Sequence, residues 1–243
     1  MTGRCLLLLL LLLASCRTTD TKVAVHPVPK ARPEPVEPVE PERVEPPAPL
    51  PALPIEPDEP PEAKEFGERL AAEARRFLEE GLVEVEGVRF AMRCSELVHA
   101  ALTALGCTEG PSGGLGKGGT ANIHAWCEGQ GYLHSGVPMA GDLVIFDDTY
   151  DRNGNRRNDD PLTHIGVVTG VEEDGTVIFV HVGSGRVRES RMNLARPGAH
   201  RDSKGNVLND YVRAQGKKDR KGTRYLAGEL FRDYCRLPGC SGT

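Results

Sequence analysis

A proline and glutamate tract between Arg17 and Ala63 limits what this chain can fold into. The stretch VEPVEPERVEPPAPLPALPIEPDEPPEA punctuates proline and acid with small apolar residues. Such a tract cannot bury a core and is expected to stay extended and disordered. In polyproline II it would reach on the order of 100 Å at ~3.1 Å per residue. Residues 17–63 hold 10 acidic and 5 basic residues of the chain's 35 and 30, and Arg4 precedes them, which leaves 25 acidic and 24 basic in 64–243. The acidity therefore belongs to the linker, and the folded part is nearly neutral. No broad basic stripe argues for nucleic acid. Arg201 to Arg224 is locally basic, with eight Lys or Arg against three Asp. It reads as a solvated loop, with an anionic glycan or lipid surface as the alternative partner. Residues 64–243 have the length of one domain with a real core, and a monomer is expected.

The N-terminal residues set the compartment. MTGRCLLLLLLLLASC has the charged, apolar, small-residue order of a secretory signal. Its apolar run is too short to span a membrane as a mature helix. Leu13-Ala14-Ser15-Cys16 resembles the lipobox of bacterial lipoproteins. That resemblance implies that residues 1–16 are a signal peptide, that Cys16 is acylated, and that the acyl chains hold the protein on a lipid bilayer. Arg17 in place of Asp implies the outer membrane, facing the periplasm.

Within 64–243 the spacing predicts helices first and strands after. AKEFGERLAAEARRFLEEG puts Phe66, Leu70, Ala74, Phe77 and Leu78 at helical spacing, stopped by Gly81. LVEVEGVRF reads as a strand or hairpin. SELVHAALTALG is a helix closed by Gly106, and ANIHAWCEGQG is a further short helix. DLVIF, THIGVVTGV, TVIFVHV and RVRES have β-propensity, with EEDG joining two of them as a hairpin. TRYLAGELFRDYC is expected to be a closing helix. The order suggests an α+β domain with an antiparallel sheet.

Cys94 sits where the hairpin ends and a helix begins. The free N–H groups and dipole of a helix start stabilise negative charge, so a thiol there loses its proton more easily, and the thiolate is the nucleophile. Cysteine parity agrees. With Cys5 in the signal and Cys16 lipidated, five remain, and an odd number leaves one unpaired in an oxidising compartment. Sequence closeness suggests Cys107 with Cys127 and Cys235 with Cys240, leaving Cys94 free, although connectivity does not follow from sequence. Of the histidines, His164 and His181 fall on predicted strands joined by a hairpin. His164 could take the thiol proton, and His181 could orient it by bonding its other ring nitrogen. The bland alternative is one core histidine and one surface histidine.

RCSELVHAALTALG, MAGDLVIF and THIGVVTGV…TVIFVHVGSGRV together resemble the NlpC-type cell-wall cysteine peptidases over roughly Gly87 to Arg188. They also resemble a sister group, the cysteine, histidine-dependent amidohydrolases, whose third residue is usually acidic or Asn; His181 favours the first group. The resemblance implies a papain-like fold, with Cys94 as nucleophile, His164 as base and acid, and His181 as orienting residue. The N–H groups of Cys94 and Ser95 are candidate oxyanion donors. Arg93 and Glu96 depart from the family's Asp and Gly, and VEVEGVRFAM replaces its aromatic-glycine segment. The implied substrate is peptidoglycan, cut at stem-peptide amide bonds beside D-glutamate and a diamino acid. The amidase bond between glycan and peptide is the runner-up, and a non-catalytic wall-binding module on the same fold is a reading of a different class.

Two loops invite other readings. In DDTYDRNGNRRNDDPLTH, Asp151, Asn153 and Asn155 alternate, with Asp159 and Asp160 beyond, which is how an EF-hand loop begins to wrap calcium. Arg156 stands where that loop needs Gly, and Leu162 where it needs Glu, so a polar Asx-turn loop is the slightly favoured reading. GPSGGLGKGG lacks the residues and the preceding strand of a phosphate loop. No required cofactor is expected.

Overall fold

The computed structural model describes residues 61–107 and 119–240. Residues 1–60, with Cys16 and nearly all of the proposed linker, and most of the glycine-rich loop (residues 108–118) lie outside the described residues.

Helix α1 runs over Pro61–Arg76. Its first three residues overlap the end of the proline and glutamate tract. Proline suits the first helical position, where no N–H is needed, and Glu62 in the first turn complements the dipole. Ala63, Phe66, Gly67, Leu70, Ala71 and Ala74 form its buried face. The helix stops short of Gly81. Glu79 takes φ 64°, and its N–H donates to the Val187 carbonyl at 3.0 Å. Phe77 is still buried, as helical spacing required, but just past the helix.

The predicted hairpin is β1 (Val83–Val85) and β2 (Val88–Phe90), paired antiparallel. Glu86 and Gly87 both have positive φ, the pair of left-handed residues that a two-residue turn needs to match strand twist. Helix α2 spans Cys94–Ala104. Helix α3, Thr120–Gln130, is closed by Gly131 in the left-handed conformation.

The remaining strands are β3 (Leu133–His134), β4 (Leu143–Phe146), β5 (His164–Val171), β6 (Val177–Gly183) and β7 (Arg186–Met192), followed by α4 (Ala227–Leu230) and β8 (Phe231–Cys235). Six strands form one sheet in the order β3-β8-β4-β5-β6-β7, with every pair antiparallel. The expected α+β, papain-like class is what the chain adopts.

The expected closing helix is a correction. It makes one turn, then extends as β8 between β3 and β4. Local apolar spacing did not reveal this, because β8 answers a distant demand: β4 needs a second partner, and Tyr234 and Cys235 fill the core at 0 % exposure.

The disulfides are a second correction. The bridges are Cys107–Cys240 and Cys127–Cys235, with Cα separations of 5.2 and 6.0 Å. Sequence closeness misled because the last strand folds back beside α3. The bridges close loops of 133 and 108 residues, and each contributes about 4–5 kcal/mol in the chain-entropy account.

Side chains alternate across the sheet, and both faces are covered. Leu143 and Ile145 pack with Leu70, Leu97, Val98 and Leu102 of α1 and α2. Val144 and Phe146 pack instead with Phe179, Met192, Leu230 and Tyr234. This two-sided burial explains why LVIF is uniformly apolar rather than alternating. The glycine of MAGDLV has a packing reason: Gly141 has φ 90°, and a Cβ on it would overlap the backbone of Gly67 in α1. The aspartate of that motif anchors the C-terminus. Asp142 is 1 % exposed and accepts from Arg236 Nε and Nη2 at 3.0 Å each.

Candidate active site

Cys94 is the first residue of α2, and Arg93 is the N-cap without a side-chain cap bond. The N–H groups of Glu96 and Leu97 reach back to the Arg93 carbonyl. Those of Cys94 and Ser95 have no carbonyl one turn earlier, as at any helix start. Cys94 is also the one free cysteine among the described residues. Its Sγ lies 3.6 Å from Thr120 Oγ1, at the start of α3. Thr120 is 4 % exposed, and its hydroxyl can donate to a thiolate. The sequence reading missed this residue, because contact between two helix starts is a tertiary fact.

His164 opens β5 and His181 lies near the end of β6. The register pairs Gly166 with His181, and continuing it by two residues sets His164 opposite Gly183. Two His-x-Gly triplets thus meet head to tail on one sheet face, with each imidazole opposite a glycine. The glycines clear the space that lets the rings meet diagonally. A Cβ at Gly166 would come within 2.8 Å of the Val180 carbonyl and 3.2 Å of His181 Cβ. One at Gly183 would sit 3.2 Å from His181 Cε1. His164 Nε2 and His181 Nδ1 are 2.7 Å apart, with the rings edge to face. His181 Nε2 continues to Ser190 Oγ on β7 at 3.0 Å. Ser190 is the second residue missed, although it stands two residues from Arg188, the partner of His181 in register. Phe146 and Phe179 back the imidazoles.

This chain of bonds occupies Nε2 of His164 and leaves Nδ1 for a reacting group. Burial lowers the His164 pKa to about 4. His181 is also pushed well below its ordinary value, first by burial, then by the charges of His164 and Arg188. Both rings are therefore neutral at pH 7, and a neutral imidazole is the form that accepts a proton.

Cys94, Ser95, Thr120 and His164 line one cavity of about 520 Å³, with Arg93, Tyr150 and Arg152 at its walls. A second cavity of about 630 Å³ carries His164, His181, Tyr150 and residues Tyr211–Gln215. Tyr150, His164 and Val182 line both, so the two cavities adjoin at His164 as two arms of one site. The structure thus brings Cys94, Ser95, His164 and His181 to one place. A free cysteine at a helix start and a neutral, oriented imidazole in one cleft can form and break a thioester.

The loop carrying Asp151, Asn153, Asn155, Asp159 and Asp160 is a set of Asx turns. Arg156 N–H donates to Asp151 Oδ2, Asn155 N–H to Asn153 Oδ1, and Arg157 N–H to Asn155 Oδ1. The amides of Asn153 and Asn155 donate to Asp159, and these bonds hold its carboxyl below the usual range. Asp160 stands apart, joined to Asp148 and to the Arg152 N–H. Among the described residues no group of three or more His, Cys, Asp or Glu is arranged to hold a metal.

An antiparallel sheet with a cysteine-bearing helix and a histidine pair at its end defines the papain-like cysteine hydrolase class. Within the chain, residues 85–182 match the family model of the CHAP domain. Residues 85–182 are thus similar to the CHAP module, the cysteine, histidine-dependent amidohydrolase or peptidase group named above as the sister group. They include Cys94, His164 and His181. No significant match was found among curated proteins or among solved structures.

Proposed function

We propose that the protein is a lipid-anchored cell-wall hydrolase that cleaves amide bonds in peptidoglycan stem peptides. The observation that carries this reading is the shared cavity of Cys94 and His164, with His181 bonded behind His164. The Cys94 sulfur attacks an amide carbonyl, and His164 takes the thiol proton. The oxyanion forms beside the N–H groups of Cys94 and Ser95, where fixed donors need no reorganisation. His164 returns the proton to the leaving amine. Water, deprotonated by the same imidazole, then hydrolyses the thioester and frees Cys94. His181 keeps Nδ1 of His164 on the reacting side, and Ser190 orients His181.

The endopeptidase reading places the cut bond within the stem peptide. The N-acetylmuramoyl-L-alanine amidase bond is the alternative, supported by the similarity of residues 85–182 to the cysteine, histidine-dependent amidohydrolases. Acylation of Cys16 is supported by Leu13-Ala14-Ser15-Cys16. It would tether the domain to the outer membrane, with the proline tract as spacer. Calcium is the second reading of the Asx loop, favoured by Asp151 Oδ1, a buried oxygen with no partner. An ion there would require the Asn153 and Asn155 amides to turn their oxygens inward. A rise in melting temperature on adding calcium supports it, and no shift ends it.

The deciding experiment incubates residues 61–243 with purified sacculi beside a Cys94→Ala variant. New soluble peptides from the unmodified protein alone mean an enzyme, and mass spectrometry of the fragments names the bond. Binding by both proteins without release means a wall-binding module and overturns the proposal.

A further inference from the structure

The second arm of the cleft contains a buried arginine that forms no ion pair with a carboxylate among the described residues. Arg213 lies beyond the residues that match the CHAP family and is 6 % exposed. Its Nη1 donates to the Asp148 carbonyl at 2.5 Å. The Asp148 carboxylate is engaged elsewhere, by Arg224 Nη2 at 2.6 Å and the Asp160 N–H at 2.7 Å. Asp219 is near enough to feel the Arg213 charge. Its carboxylate, however, is held by the Gly216 N–H at 2.7 Å and the Tyr225 hydroxyl at 2.9 Å. No carboxylate forms an ion pair with Arg213 among the described residues.

A buried cation without a counter-ion is costly, and arginine stays charged throughout the working pH range. Arg213 is nevertheless open on one side, where it lines the 630 Å³ cavity that ends at His164 and His181. Tyr150 and Tyr211 stand at the same cavity, 51 % and 50 % exposed. A charged fork at the bottom and aromatic walls at the mouth suit a flexible peptide that carries a carboxylate.

We propose that Arg213 is a specificity-determining residue that binds a free carboxylate of the substrate in the arm beyond His164, while the scissile amide lies at Cys94. This rests on the stem-peptide reading, since such peptides carry free carboxyl groups beside their amide bonds. The carboxylate would form charge-assisted bonds with the guanidinium nitrogens that do not reach Asp148. The C-terminal segment would thereby select among peptides that the cysteine and histidine alone would not distinguish.

The test measures binding, so that it does not depend on turnover. The full chain carrying Cys94→Ala, held in detergent, is titrated calorimetrically with synthetic L-alanyl-γ-D-glutamyl-lysine. The second titrant is the same peptide with both carboxyls converted to carboxamides. The acid form should bind tighter by on the order of tenfold to a hundredfold, as charge-assisted bonds of this kind supply. Adding Arg213→Gln should bring the two affinities together, and Arg213→Lys should restore part of the preference. Thermal melting of each variant shows that it is folded. Equal binding of both peptides by the Cys94→Ala protein, or a preference that survives Arg213→Gln, overturns the proposal. Failure of the unmodified protein to release peptides from sacculi would overturn the hydrolase reading and leave this binding result standing.

Discussion

The two arms of the cleft are built from different parts of the chain. The Cys94 arm comes from α2, the start of α3 and the loop into β5, nearly all within the matched family segment. The other arm takes its outer wall from Tyr211–Gln215, beyond that segment. The first arm holds the free thiol of Cys94 together with His164. The second holds a buried arginine and exposed aromatic rings, and no cysteine lines it among the described residues. The contrast teaches that, on the proposed function, reaction and selection would be separable: one local to a motif, the other added by a segment stapled on through Asp148.

The sharpest break in that comparison is Cys94→Ala. It should lower peptide release from sacculi by at least about 10³-fold, since Cys94 is the one free thiol among the described residues. Binding to sacculi should persist. Retained release would place the chemistry elsewhere.

Removing the Cys127–Cys235 bridge should come next. Cys235→Ser should lower stability by about 2–5 kcal/mol, read as a fall in the denaturation midpoint. Because the bridge holds β8 against α3, the C-terminal arm should loosen before the helical side. Hydrogen exchange that rose uniformly would argue against two separable regions.

Gly166→Ala tests the glycine-for-histidine exchange. The new methyl meets backbone at the Val180 carbonyl, so a loss of about 1–3 kcal/mol is expected. Activity should fall further than stability explains, because His181 is displaced. A variant with unaltered melting and activity would show that the diagonal pair does not need the gap.

Acid should weaken the fold through the same pair. Folded His164 stays neutral down to about pH 4, whereas an unfolded histidine binds a proton below about 6.5. Between those values the unfolded state holds more protons, so stability falls as pH falls through the window and is level above it. Denaturation midpoints measured from pH 7 to 4 should show this slope, and His164→Asn should flatten it.

The smallest effect is expected at Ser190. Ser190→Ala removes one bond behind His181 and should reduce kcat several-fold with little change in KM, about 1 kcal/mol of transition-state stabilisation. An unchanged rate would limit the relay to the two histidines.

Much of this site was legible before any coordinates. Cys94 at a helix start, the helical face of α1 and the β1–β2 turn are all statements about neighbours in sequence. So is the placement of His164 beside His181, because a hairpin fixes which residues of two adjacent strands can meet, whereas the glycines opposite them emerged only from the register. The C-terminal region was read wrongly for the opposite reason. Its apolar spacing is compatible with a helix, and only a vacant edge on β4 and a cysteine on α3 draw it out as β8. The disulfide pairs failed likewise, since closeness along the chain says little once the last strand returns to the first helices. Thr120, Ser190 and Arg213 carried no local signal, because each matters through a partner far away in sequence.

By itself, then, the amino-acid order determined an α+β domain behind a proline tract, one unpaired thiol at a helix start and two imidazoles on neighbouring strands. These follow from short-range periodicity, turn chemistry and cysteine parity, which act over a few residues. Tertiary structure alone decided which cysteines join, what the last strand pairs with, and which buried charge faces the cleft. Those outcomes depend on contacts across a hundred residues, where burial and pairing outweigh local preference.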